Sequence, residues 1–292
     1  MKITTGELRQ GFINQKYICD EDIIITVFLA LKLKKPLLLT GAPGVGKTEI
    51  AKVLAKIFDT ELIRLQCYEG LDDNKALYEW NYQRQLLKIQ MSKSEAGNSN
   101  LEKSIFTEEY LLERPLLKAI RMDKTPVLLI DEIDKTDEEF EAFLFEVLSD
   151  FQVSIPELGT VTAKQIPIVI LTSNGERDLS DGLKRRCIFL YVDYPSVDKE
   201  LQIIRAKVPE VGEKLSMQVA KAMNAMRGLD LKKPPAISEA IDWANALIEF
   251  EVNSLEPKIV DATLNVILKD RDDQETFRKD IGAKGLVESI NK

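Results

Sequence analysis

The chain has 292 residues, 48 acidic against 40 basic, three cysteines and no histidine, with a formal net charge of −8. That length carries more than one core, and 45% hydrophobic with 30% charged residues excludes a disordered chain. Without histidine, imidazole bases and His-bound metals are excluded; three scattered cysteines argue against a disulfide framework, and a net negative chain is not drawn to polyanions.

No apolar run is long enough for a bilayer span, and Met1–Gly6 lacks the apolar stretch of a signal peptide, so the expected location is cytoplasmic. Glu21 to about Leu33 has Ile23, Ile24, Val27, Phe28 and Leu31 at helical spacing. Pro36-Leu37-Leu38-Leu39-Thr40 predicts a short buried strand. Gly41-Ala42-Pro43-Gly44-Val45-Gly46-Lys47-Thr48 follows, then a helix to about Phe58. Strand, glycine-rich turn and helix make the setting of a phosphate-binding loop. Gly41, Pro43, Gly44, Val45 and Gly46 would form the cradle, whose N–H groups and helix N-terminus favour an anion. Lys47 would reach the outer phosphates and Thr48 would hold Mg²⁺, so the expected ligands are ATP and Mg²⁺.

Glu61-Leu62-Ile63-Arg64-Leu65-Gln66-Cys67 predicts a second strand. A polar-aromatic stretch, Leu77 to Leu87, is interrupted by Ser92–Asn100, whose composition predicts a contact or surface loop. Helical spacing resumes from Thr107 to about Ile120. Val127-Leu128-Leu129-Ile130-Asp131-Glu132 predicts a strand buried on both faces and ending in two carboxylates. Asp131 would hold Mg²⁺ through water, and Glu132 would orient and deprotonate the attacking water. Thr136 with Glu139 has the spacing of a capping box. Phe151–Thr162 predicts a β-hairpin around Gly159, and Ile166–Leu171 another buried strand, with Asn174 at its end as a candidate sensor of the γ-phosphate.

Leu183-Lys184-Arg185-Arg186-Cys187 leads into a last strand, Ile188–Val192. Arg185 and Arg186 form either a solvated rim or a contact to a neighbour's nucleotide. From Ser196 only helical periodicity remains, over 198–207, 213–227, 238–251, 257–268 and 273–280, with Ser238 as a plausible N-cap. The expected organisation is an α/β domain over 1–195 and a small helical lid over 196–292.

The phosphate loop, Asp131-Glu132, Asn174, Arg185-Arg186 and a helical lid, in that order, resemble the AAA+ ATPases. The hairpin before Asn174 looks like the insertion of the pre-sensor-1 superclade. Phe143–Phe151 through Ile155–Thr160 is similar to MoxR ATPases, and Tyr78–Leu87, Leu111–Leu116, Leu183–Cys187 and Ile241–Ala244 look like the CoxD-like branch, linked to maturation of molybdenum-containing carbon monoxide dehydrogenase. The resemblance implies a P-loop AAA+ core with a small all-α lid, and a hexameric ring binding ATP between subunits. Lys47 and Thr48 carry over as phosphate and Mg²⁺ ligands, and Asp131 and Glu132 as Mg²⁺ partner and base. Asn174 carries over as first sensor, and Arg186 as the trans arginine with Arg185 in reserve. It also implies a separate partner with a von Willebrand A domain and a metalloenzyme client. Where relatives carry a second-sensor arginine, this chain has Ala236-Ile237-Ser238-Glu239.

The leading expectation is thus an ATP-hydrolysing, chaperone-like remodeller of a protein client. The alternatives are a nucleic-acid motor, which the net charge disfavours, and a non-catalytic nucleotide-driven assembly switch, which the intact Asp131-Glu132 pair disfavours.

Overall fold

The structure is a computed structural model that describes residues 3–92 and 105–291. Of the Ser92–Asn100 stretch, everything past Ser92 lies outside the described residues. The chain forms two compact units. One holds the chain to Gly11, Glu21–Thr40 and Thr48–Tyr191; the other holds Phe12–Asp20, Gly41–Lys47 and the chain from Val192.

The first unit is built on a five-stranded parallel sheet in the order β2-β5-β8-β1-β9. Its strands are β1 (Leu37–Thr40), β2 (Leu62–Gln66), β5 (Val127–Asp131), β8 (Ile168–Ser173) and β9 (Ile188–Tyr191). Every residue of β5 is buried, as a strand covered on both faces requires. Strand β2 alternates: Ile63 and Leu65 are buried, while Arg64 is exposed and Gln66 only half-buried. That period of two aims Arg64 and Gln66 to one face. Leu38, Leu128, Ile130 and Leu171 join Ile63 and Leu65 in one apolar cluster. Ligand sites of open parallel sheets form beyond the carboxyl ends of the strands, which here are Thr40, Gln66, Asp131 and Ser173.

The helices preceding and flanking this sheet are α1 (Thr5–Asn14), α2 (Glu21–Leu33) and α3 (Lys47–Ile57), then α4 (Asp73–Ala76), α5 (Tyr82–Ser92), α6 (Pro115–Arg121), α7 (Glu138–Asp150) and α8 (Asp181–Arg186). The helix expected over Thr107–Ile120 is corrected. A 3₁₀ turn at Glu108–Tyr110 is followed by β4 (Leu111–Glu113), which pairs antiparallel with β3 (Tyr78–Trp80). Only from Pro115 does a helix run. Proline pushes Arg114 into extended backbone, φ −93° and ψ 170°, and itself suits the first helical position. Helix α7 is capped by Asp137, whose carboxylate accepts from Phe140 N at 2.8 Å. The expected cap, Thr136, instead donates its hydroxyl to Ile133 O at 2.8 Å, one residue too early to open the helix. The predicted hairpin forms as β6 (Gln152–Ile155) and β7 (Gly159–Thr162), with Ile155 opposite Gly159.

The second unit contains α9 (Val197–Lys207), α10 (Glu213–Arg227), α11 (Ile237–Glu249), α12 (Pro257–Ile267), α13 (Arg271–Asp280) and α14 (Gly282–Ile290). Its apolar cluster centres on Trp243, fully buried, whose indole N–H donates to Thr263 Oγ1 at 2.8 Å. A buried ion pair crosses this unit, with Arg227 donating to both oxygens of Glu200 at 2.6 and 2.8 Å. Arg227 Nε also donates to Pro235 O at 2.6 Å, fixing the segment that enters α11. The N-cap position of α11 is Ala236 rather than Ser238. Glu239 closes that end by accepting from Ala236 N at 3.0 Å and Ser238 Oγ at 2.9 Å. Among the described residues no helix is long and apolar enough to cross a membrane.

Candidate active site

After β1 the chain turns through glycines in backbone that residues with side chains rarely adopt. Gly41 has φ 146° and Gly44 has φ 77°. A Cβ at Gly41 would stand 2.1 Å from Val192 O; one at Gly44 would stand 2.5 Å from Ser238 Oγ and 2.8 Å from Ala236 Cβ. Steric exclusion and positive φ thus act together at both positions. Val45 is buried and Pro43 exposed. Lys47 opens α3 and is only 6% exposed. Its ammonium folds back over the loop, donating to Gly41 O at 2.6 Å and Ala42 O at 2.7 Å. The first amides of α3 have no carbonyl partner within the helix, so the turn presents N–H groups and positive helix-end charge to an anion.

Thr48, one residue on, donates its hydroxyl to Asp131 Oδ1 at 3.1 Å. Asp131 is 3% exposed. The same oxygen accepts from Thr172 Oγ1 at 2.5 Å, while Oδ2 accepts from Arg64 Nε at 3.0 Å and Nη2 at 2.5 Å. The Thr172 hydroxyl in turn accepts from Glu132 N at 2.9 Å, locking the two acidic residues to β8. Glu132 takes left-handed backbone, φ 59° and ψ 51°. For a residue with a Cβ this costs about 1–2 kcal/mol, and such strain collects at functional sites. It turns the Glu132 side chain away from the direction the strand would give, and Gln66 Nε2 donates to its Oε2 at 3.1 Å. Two carboxylates one residue apart are thereby held by different partners.

Asn174 lies just past β8 and is half-buried. Its backbone N–H donates to Asp134 Oδ2 at 3.0 Å, as does Glu176 N at 3.0 Å. Asp134 thus ties the turn after β5 to the turn after β8. Arg185 and Arg186 end α8, both exposed. The Arg186 guanidinium lies over the Phe145 ring, 3.2 Å from its centroid. Helix α8 is anchored by Ser180, whose N–H donates to buried Glu141 at 2.9 Å. Neither arginine bonds to the Thr48, Asp131 or Glu132 side chains within the described residues. The geometry therefore joins Thr48, Asp131 and Glu132 in one group, places Asn174 at its edge through Asp134, and leaves the two arginines apart from it.

A hydroxyl and a carboxylate in contact are hard oxygen donors of the kind Mg²⁺ takes. Thr48 donates its proton to Asp131, which leaves the Thr48 oxygen lone pairs available to a cation, so these residues fit Mg²⁺. Burial pushes the nearby Cys67 thiol from an ordinary 9.0 up to about 12, helped by the charges of Asp131, Asp134 and Glu132. Cys67 is therefore a buried, protonated thiol at neutral pH.

Residues 36–187 match the AAA domain (dynein-related subfamily), more than half of the chain. The chain belongs to this AAA family. The match runs from β1 through the phosphate loop, β5 and β8 to the end of α8. An uncharacterized protein of Staphylococcus aureus (strain USA300) is 28% identical over 225 residues, covering 74% of this chain and 77% of that one. A variant of Thermotoga maritima RuvB is similar in fold, at a TM-score of 0.50 and 18% identity over 92% of this chain and 72% of that one. Another structure of that protein, described as a Holliday junction branch migration motor, gives a TM-score of 0.49 at 20% identity, covering 92% of this chain and 72% of the other.

Four residues were not singled out in the sequence: Arg64, Gln66 and Thr172, which bond to this group, and Asp134, which holds the Asn174 N–H. The first two had a legible signal, since polar side chains at alternate positions of a strand point the same way. For Thr172 and Asp134 only the register of β8 against β5 supplies the reason.

Proposed function

We propose that this AAA protein is an ATP-hydrolysing machine of the MoxR type, in the CoxD-like branch, that remodels or activates a protein client during metalloenzyme cofactor maturation. The observation that carries the ATPase reading is the 3.1 Å contact from Thr48 to Asp131, which brings the end of the phosphate loop to the acidic pair. In this reading the amides from Gly41 to Gly46 bind the phosphates, and Lys47 trades loop carbonyls for phosphate oxygens. Thr48 and Asp131 would hold Mg²⁺, whose charge offsets that of the phosphates. Glu132 accepts the proton of the attacking water, and Asn174 orients that water or senses the γ-phosphate. The base must also share its Oε2 with Gln66, which fixes where the carboxylate waits.

The trans arginine of a neighbouring copy in a hexameric ring is Arg186, with Arg185 in reserve. Stacking on Phe145 supports the choice of Arg186, since it presents the guanidinium in a defined place. Residues 196–292 serve as the lid, and a von Willebrand A domain protein is a separate partner. The MoxR and CoxD-like assignment rests on the sequence phrases around Tyr78–Leu87 and Phe143–Thr160. The likeness to RuvB is one of fold, and the net charge of −8 argues against a nucleic-acid motor.

The test is phosphate release by the purified protein with Mg²⁺-ATP. Glu132→Gln should keep ATP affinity and lose turnover by about 10²-fold or more; equal turnover would remove Glu132 from the chemistry. Arg186→Ala should lose turnover at unchanged affinity, and normal turnover there with loss in Arg185→Ala would transfer the role. A metalloenzyme retained by ATP-locked Glu132→Gln would support the client reading. Strong stimulation of hydrolysis by DNA or RNA would overturn it.

A further inference from the structure

The Asp131 carboxylate is saturated by this chain's own donors. A carboxylate has roughly four lone-pair sites, and Thr48, Thr172 and two nitrogens of Arg64 direct four hydrogen bonds at it. Of those partners only Arg64 is charged. It is also the one with a side chain half in solvent, at 53% exposure against 4% for Asp131. A cation that draws on Asp131 meets the guanidinium on the same group, and two positive charges a few ångströms apart repel each other.

We propose that Arg64 is a positioning residue that serves as a built-in counter-ion of Asp131 and gives way when Mg²⁺ arrives with nucleotide. This rests on the ATPase reading above and adds to it a determinant of Mg²⁺ affinity. The guanidinium holds the buried carboxylate in place before the cation loads, so the site is assembled in advance. The cost is a competition that raises the Mg²⁺ concentration needed for loading. Displacement is also transmitted. Arg64 Nη2 donates to Gln66 Oε1 as well, and the Gln66 amide holds Glu132 Oε2 at 3.1 Å. Releasing Arg64 from Asp131 therefore changes what holds Gln66, and through it the carboxylate assigned as base. Strand β2 makes the link possible, because Arg64 and Gln66 are two residues apart on one face and Gln66 pairs in register with Asp131.

The test follows binding of a fluorescent ATP analogue to the full chain as Mg²⁺ is titrated, alongside thermal unfolding with Mg²⁺ and nucleotide added or withheld. Arg64→Gln should move the Mg²⁺ midpoint about fivefold or more to lower concentration, while Arg64→Lys, which keeps the charge but not the two-nitrogen fork, should fall between wild type and Arg64→Gln. Mg²⁺ with nucleotide should also raise the unfolding temperature of Arg64→Gln more than that of wild type, since the variant starts with an uncompensated Asp131. An unchanged or higher midpoint in a folded Arg64→Gln overturns the counter-ion role and leaves the ATPase reading standing. Wild-type binding indifferent to Mg²⁺, or no nucleotide binding at all, overturns both. If Arg64→Gln fails to fold, Arg64→Met, which removes the charge with a side chain of similar length, decides by the same Mg²⁺ midpoint.

Discussion

Two glycines of the phosphate loop offer a controlled comparison. Gly44 and Gly46 both have positive φ, 77° and 95°, so alanine at either position meets similar backbone strain. Their surroundings differ. A Cβ at Gly46 has nothing within 4 Å, whereas one at Gly44 falls 2.5 Å from Ser238 Oγ and 2.8 Å from Ala236 Cβ. The Ser238 hydroxyl can rotate away by giving up Glu239, but Ala236 Cβ is fixed by the backbone at the start of α11. Gly46→Ala should therefore cost about 1–2 kcal/mol, the strain alone. Gly44→Ala should cost about 1–3 kcal/mol more, the penalty of forcing a methyl into a filled place. Both loop and helix belong to the second unit, where Trp243 is buried, so urea unfolding followed by tryptophan fluorescence in a Trp80→Phe background reads the difference. Adding Ser238→Ala should recover only part of the Gly44→Ala loss. Equal costs at the two glycines would refute the argument that α11 packs against the loop at Gly44.

Thr172→Val keeps the shape of β8 but removes the donor to Asp131 and the acceptor of Glu132 N–H; it should cost about 1–3 kcal/mol and weaken Mg²⁺-dependent nucleotide binding, with Thr172→Ser restoring both. Arg227→Met strands Glu200, fully buried, and should cost about 3–5 kcal/mol in urea unfolding at pH 7.5. Burial already pulls the Glu200 carboxyl upward against the influence of Arg227. A raised folded value favours the native state at low pH and is lost as pH rises through it, so the Arg227→Met deficit should be smaller at pH 5 than at pH 7.5; a deficit independent of pH would contradict this. Cys67 and Cys187 are each raised from 9.0 to about 12 by burial. Their stabilisation is intact below pH 9.0 and declines between there and 12, by about 1.4 kcal/mol per pH unit for each thiol. A Cys67→Ala, Cys187→Ala double variant should show a shallower loss of stability over that range than wild type.

Much of the molecule was legible as local pattern. Helix α2, the strand–loop–helix around Gly41–Thr48 and the apolar strand ending at Asp131 each carry a short-range signature in apolar spacing or glycine placement. The same local logic failed where neighbours compete. Thr107–Ile120 has helical spacing, yet pairing with Tyr78–Trp80 and the proline at 115 divide it into strand and helix. Thr136 and Ser238 looked like caps, but Asp137 and Glu239 took those tasks because side-chain reach, not residue type alone, decides which N–H is met.

The amino-acid order by itself determined which chemical groups this protein owns: a glycine loop with lysine and threonine, a paired aspartate and glutamate, two arginines before a strand. It could not say which of them meet. Only the register of β2, β5 and β8 sets Arg64 and Thr172 on Asp131 and Gln66 beside Glu132, residues 40 to 67 positions apart in the chain. Such contacts are properties of the folded sheet, because a side chain's partners across strands follow from strand order and alignment, and no local propensity encodes those.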